Sequence, residues 1–314
     1  LKMLSYNEAE QEIAIEQLGY RPLIAARAMR GSSFSIGLEI PNLGNEFFTQ
    51  IMRGAASRLA GTGYQLMIAP GIGELSGTPV LENLADRQVD GLIAISPAVA
   101  PEWLEEFSSR TPLVLVGRHD QSNSYDTVTN DDVVGTRLAI EHLTGLGHRR
   151  IAHLTLQMQS ERPDSLLPHT VRRDTYEATL VGVGLTPHVV YCRDVDGAYD
   201  AARELLESDP AVTAIFAGND TLAIDTLRAV ADLGLDASHV SVVGYDDIDM
   251  SGHPLVSLTT VTQFGETMGR AAIDLLMERI QTGRTIARNY ELQPELRVRS
   301  STRPSARGAS LRLD

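Results

Sequence analysis

Cysteine is almost missing from this sequence of 314 residues. Cys192 stands alone, so no internal disulfide can form, no thiolate metal set can be built, and a reducing cytoplasm is the fitting compartment. Lysine is nearly missing too: Lys2 is the only one, and every other basic residue is an arginine. Aromatic residues make up 5% of the chain, so the adjacent Phe47 and Phe48 stand out. No apolar run approaches the ~20 residues of a membrane-spanning helix, and the opening LKMLSYNEAEQEIAIEQ has no apolar core of the kind a secretory signal needs. Positive charge is scarce, with a net charge of −14. In residues 1–31, Lys2, Arg21, Arg27 and Arg30 are offset by Glu8, Glu10, Glu12 and Glu16. A phosphate backbone calls for a concentrated basic patch, so residues 1–314 alone are expected to hold DNA weakly.

The motifs of catalysis are missing as well. There is no GxSxG and no HExxH, and the eight histidines are scattered without ligand spacing. Gly71 and Gly73 open a possible dinucleotide loop, but the third glycine, Gly77, falls one residue late for GxGxxG. His142 and His148 bracket a helix C-terminus, where a cation or a cap is the ordinary explanation. The expectation is a protein that is not an enzyme and holds no cofactor or metal.

What is present is a regular alternation of apolar strands and helices. Strands are predicted over 34–40, 64–69, 91–96 and 112–117, with helices over 45–61, 79–87 and 101–109 between them. A second series follows from Asp131, with strands over 150–156, 188–192, 212–217, 240–245 and 258–261. Its helices span 133–146, 171–182, 198–208, 220–233 and 264–282, before short strands around Pro294. Apolar strands joined through helices make parallel, doubly wound sheets. The fold class is therefore α/β with two doubly wound lobes; the two halves resemble a periplasmic-binding-protein-like body, and that resemblance implies three crossovers, placed near Asp131, Gln263 and Pro294.

Ahead of the first strand, Pro22 can open a short helix over LIAARAMR that Gly31-Ser32-Ser33 ends. A helix of about nine residues is not stable alone in water and needs a partner surface. LGYRP, AARAMRG and IGLEIPNLGNEFF, followed in order by DGLIAISP, TRLAIEHLTGLGHRRIAHL, FAGNDTLAIDTLRAV, VSVVGYDDI and LTTVTQ, resemble LacI/GalR-type transcriptional regulators over about residues 11–300. The resemblance implies a hinge helix that folds on the DNA minor groove. It carries the DNA-contacting roles to Tyr20, Ala26 and Met29, with Met29 where the family has a wedge leucine. It also implies an effector cleft and a homodimer on operator DNA, provided that a helix-turn-helix precedes the hinge. Residues 1–33 then read as the remnant of the DNA-binding headpiece plus the hinge. Residues 34–131 with 264–293 form the N-terminal lobe, 132–263 with 294–300 the C-terminal lobe, and 301–314 a disordered tail. The alternative is a sugar-binding protein for uptake or sensing without DNA binding.

Candidate effector contacts follow from strand ends, because ligands of open α/β sheets sit at the carboxyl ends of the strands. Asn219 and Asp220 follow AIFAG; one is expected to face the ligand and the other to cap a helix. Phe47 or Phe48 offers an aromatic face to a sugar while the other packs inside, with Phe216 closing the sandwich from the other lobe. The resemblance makes Asp246 the effector carboxylate and Arg172 the arginine that forks onto effector hydroxyls or carboxylates; a surface salt bridge is the other reading of Arg172. It also brings Ser96 and Arg118 to the crevice, with Gly117 leaving room instead of a charge. The implied effector is a small polar molecule of the sugar class, with a nucleobase or organic acid as the second choice.

Overall fold

In a computed structural model, residues 31–71, 76–156, 167–192 and 197–306 are described. The hinge residues Tyr20, Ala26 and Met29 lie outside them, as does most of the Gly71–Gly77 turn. Two six-stranded sheets carry the molecule. The N-terminal sheet has the order β11-β5-β4-β3-β1-β2, built from β1 (Ser35–Ile40), β2 (Gln65–Pro70), β3 (Gly91–Ile95), β4 (Leu113–Val116), β5 (Asp126–Asn130) and β11 (Asn289–Leu292). The C-terminal sheet has the order β12-β10-β9-β8-β6-β7. Its strands are β6 (Ile151–Leu156), β7 (Val189–Cys192), β8 (Ala214–Ala217), β9 (Ser241–Asp246), β10 (Thr259–Thr262) and β12 (Glu295–Arg297). All neighbours are parallel except β12, which runs antiparallel to β10. The chain passes between the sheets three times: after β5, after β10 and between β11 and β12.

Helices α1 (Glu46–Leu59), α2 (Thr78–Asp86), α3 (Pro101–Ser108) and α8 (Gly265–Thr282) cover the first sheet. Helices α4 (Asp132–Gly145), α5 (Pro168–Gly182), α6 (Ala198–Ser208) and α7 (Asp220–Asp232) cover the second. In each sheet the order reverses once, between β1 and β3 and between β6 and β8. These two reversals place the open ends of the strands opposite each other, where a cleft forms. The close pair α1 and α8 has glycine on both sides: a Cβ on Gly54 would lie 2.0 Å from the Glu266 carbonyl oxygen, and one on Gly269 2.0 Å from that of Ile51. Only a residue without a side chain allows two backbones to approach so closely.

Strand β5 was not among the predicted elements. Its sequence, DTVTN, has no apolar alternation, yet every residue of it is buried. The strand is held by polar pairing instead: Asp126 accepts from Arg279 at 2.9 Å and from Arg284 at 2.6 Å. The expectation of a disordered tail over 301–314 is corrected for residues 301–306, and its remainder, 307–314, lies outside the described residues. Ser301, Thr302 and Ser305 are buried, and the Val242 N–H donates to the Ser301 carbonyl at 2.8 Å. His142 and His148, instead of acting as helix-end cations, anchor this segment through Thr302 at 2.9 Å and the Arg303 carbonyl at 3.0 Å.

Glu39 is the charged residue of β1, only 2% exposed. Burial raises its carboxyl to about 8, against one donor among the described residues, the Ile95 N–H at 3.1 Å. A carboxyl whose folded pKa lies above its unfolded one, ~4.3, stabilises the fold at low pH and loses that contribution as pH rises toward the folded value. Thermal stability is therefore expected to fall between about pH 4.3 and 8, and Glu39→Gln to flatten that slope. Identical melting-temperature profiles for the two proteins in calorimetry would contradict this.

Candidate functional site

The cleft between the strand ends is lined by Asn45, Phe47 and Phe48 after β1, by Ser96 after β3, and by Gly117 after β4. From the other lobe come His169 and Arg172 on α5, Asn219 after β8, Asp246 ending β9, and Gln263 at the second crossover. Phe47 is largely buried and Phe48 less so, their ring centroids 6.3 Å apart and tilted by 54°. Both rings line the cleft, and both pack against the core of the N-terminal lobe. Ser96, with φ +44°, and Gly117, with φ +85°, turn the chain away at the strand ends. A Cβ on Gly117 would stand 2.6 Å from Ser96 Oγ, so the glycine gives the serine its space.

Arg172 is neither a surface salt bridge nor a free fork. It is buried, with Nε donating to Asp132 at 2.7 Å, one terminal nitrogen donating to the Gly218 carbonyl at 2.8 Å, and the guanidinium 3.8 Å above the Tyr245 ring. His119, from the loop after β4, shares Asp132 at 2.8 Å. Burial pushes the Asp132 carboxyl up, but Arg172 and His119 more than offset it and hold it below the ordinary range. Asp246 accepts from Asn45 Nδ2 of the opposite lobe at 3.1 Å and from Gln263 Nε2. Burial raises its carboxyl to about 6, with Arg172, Asn45 and Gln263 pulling the other way. Its φ of +122°, followed by +57° at Asp247, marks strained backbone of the kind that collects at binding sites.

Asn219 serves both roles that the sequence left open: its Oδ1 caps α7 by accepting from the Leu222 N–H at 2.9 Å, and the residue lines the cleft. Asp220 is fully buried and structural, accepting from the Ile248 N–H at 3.0 Å and from Ser251 at 2.6 Å. Two candidates are corrected. Arg118 turns away from the cleft, because its guanidinium satisfies the Pro97 and Val99 carbonyls at 2.7 and 2.6 Å and pairs with Asp120 at 2.8 Å. Phe216 is fully buried and stacks on His153 with centroids 4.8 Å apart, so it closes no sandwich. Asn45, His169 and Gln263 were missed. Asn45 follows from its cap position as the first residue of NEFF, and His169 from standing one turn ahead of Arg172 on the same helix face; Gln263 carries no local signal.

Residues 140–302 match the family model described as periplasmic binding protein-like domain. An uncharacterized HTH-type transcriptional regulator of the aml 5′ region of Streptomyces limosus is 32% identical over 92% of this chain and 84% of that protein. The chain belongs to the LacI/GalR family of transcriptional regulators. The ribose operon repressor of Escherichia coli K12 is 28% identical to this regulator over 93% of the chain and 90% of that protein. Among solved structures, a transcriptional regulator CelR–cellobiose complex superposes with a TM-score of 0.74 at 28% identity, covering 94% of this chain and 91% of that one. The lac repressor dimer bound to operator and an anti-inducer gives 0.78 at 26% identity, covering 95% and 92%. These relatives are named as transcriptional regulators or repressors, which are not enzymes. Among the described residues no helix of the regulator is long and apolar enough to cross a membrane, and no cluster of metal-binding side chains occurs.

Proposed function

We propose that this regulator binds a small uncharged sugar between its lobes and that the bound sugar controls operator binding. The observation that carries the reading is the division of the cleft. One lobe offers the Phe48 face and Ser96, and the other a fan of hydrogen-bonding groups, Asn219, Asp246 and Arg172. A sugar needs both an apolar platform and directional partners. Arg172 is already matched by Asp132, and Asp246 adds a second carboxylate, so an organic acid would meet no unpaired cation. Cellobiose in a structural neighbour and the ribose operon in the name of a relative point to the same class. The regulator is read as a homodimer whose hinge residues Tyr20, Ala26 and Met29 meet the minor groove of operator DNA if a headpiece is present. Lobe closure on the sugar shifts the population that presents the hinges correctly.

The test is titration calorimetry with pentoses, hexoses, disaccharides, purines and organic acids, with sedimentation of the free and loaded protein. A sugar that binds a species of twice the 34.1 kDa chain mass is the expected result. Binding of organic acids or purines alone would overturn the sugar assignment, and a monomer at tens of micromolar the dimer.

A further inference from the structure

The charged groups of the cleft floor already have partners. Arg172 is taken up by Asp132 and the Gly218 carbonyl, and Asp246 by Asn45 and Gln263. His169 differs from them. It lines the cleft one turn ahead of Arg172, yet its Nδ1 is buried with no hydrogen-bond partner among the described residues. A second unpartnered atom lies nearby: Thr155 Oγ1, on β6. A Cβ on Gly218 would stand 3.2 Å from Thr155 Oγ1 and 3.6 Å from His169 Nδ1, so both atoms border the space left by the missing side chain.

Leaving a buried polar atom unpaired is costly, and folded proteins leave few. His153, just behind, shows what a purely structural histidine looks like here. Its Nδ1 is bonded to the Phe216 carbonyl at 2.9 Å, and its ring stacks on Phe216. His169 has no such bond. We propose that His169 sets effector selectivity by a directional hydrogen bond from its imidazole to one hydroxyl of the bound sugar, beside Thr155. The inference rests on the cleft being the effector site. Burial, reinforced by the Arg172 charge, lowers the His169 imidazole to about 4. The ring is thus neutral at physiological pH, with one nitrogen donating and the other accepting. A hydroxyl, which does both, is its match; a carboxylate, which only accepts, can use one nitrogen alone.

The test removes the bond from both sides. D-ribose, D-glucose and cellobiose are titrated calorimetrically into the wild type. Monodeoxy analogues of whichever sugar binds are then titrated into wild type, His169→Ala and His169→Gln. One deoxy position is expected to cost about 10- to 100-fold against wild type and less than about threefold against His169→Ala, with His169→Gln between them. The other deoxy positions are expected to cost the same in all three proteins. Equal losses at every position in wild type and His169→Ala overturn the role of His169; if Asp246→Ala nevertheless weakens binding by about 30- to 1000-fold, the cleft assignment stands. Failure of all three sugars to bind wild type overturns the sugar reading and this inference with it.

Discussion

Replacing Asp132 with alanine is expected to destabilise the regulator by about 3–5 kcal/mol. The carboxylate is 2% exposed and the Arg172 side chain 4%. Without Asp132, the guanidinium keeps the Gly218 carbonyl and the Tyr245 face but loses its only counter-ion within bonding distance among the described residues. An unmatched buried charge is what makes breaking one half of such a pair so costly. The loss also crosses the cleft, since His119 reaches Asp132 from the N-terminal lobe and Arg172 from the C-terminal one. Because the folded Asp132 carboxyl is held below its usual range, its contribution is present above the unfolded pKa, ~3.9, and is lost as pH falls through the lower folded value. Asp132→Ala should thus remove part of the stability near pH 7 and weaken the protein's response to acid. Urea unfolding in which wild type and variant differ by under ~1 kcal/mol would refute the account.

The second large effect concerns binding. Asp246→Ala is expected to cost about 2–4 kcal/mol of effector affinity, about 30- to 1000-fold. The carboxylate bridges Asn45 and Gln263 at the meeting point of the lobes, so an effector hydroxyl donating there finds an acceptor already oriented. Since burial raises this carboxyl to about 6, protonation competes with the hydroxyl, and affinity is expected to fall as pH drops below that value. Asp246→Asn tolerates the left-handed backbone that alanine resists and should bind weakly without the pH dependence of the carboxylate. Equal affinities of Asp246→Ala and wild type for the sugar identified by the panel would sink the site assignment.

The two-sheet architecture was legible because apolar strands such as GLIAI and AIFA alternate with amphipathic helices, and burial of both sheet faces writes that pattern directly into the sequence. Strand β5 was not legible, since DTVTN is buried through ion pairs and hydrogen bonds that only the fold assembles. The site divides in the same way. Asp246, Asn219 and the two phenylalanines could be placed from strand ends and local spacing. Arg118 and Phe216 occupy similar strand-end positions and turn inward, because nearby carbonyls and a histidine ring satisfy them better than the cleft does. Asn45 and Gln263 meet on Asp246 across hundreds of residues or a crossover, a relation that no local pattern records.

The glycine contacts between α1 and α8 bear on how a signal would leave the cleft. With a carbonyl lying where a methyl group at Gly54 or Gly269 would go, the two backbones touch directly at both crossings. The cleft end of the pair carries Asn45 and Phe47, and the left-handed turn at Phe264, with φ +56°, is where the chain re-enters the N-terminal lobe. A methyl group added at either glycine is therefore expected to push the helices apart and to shift Asn45 and Phe47, so that a substitution far from the effector would register in its affinity.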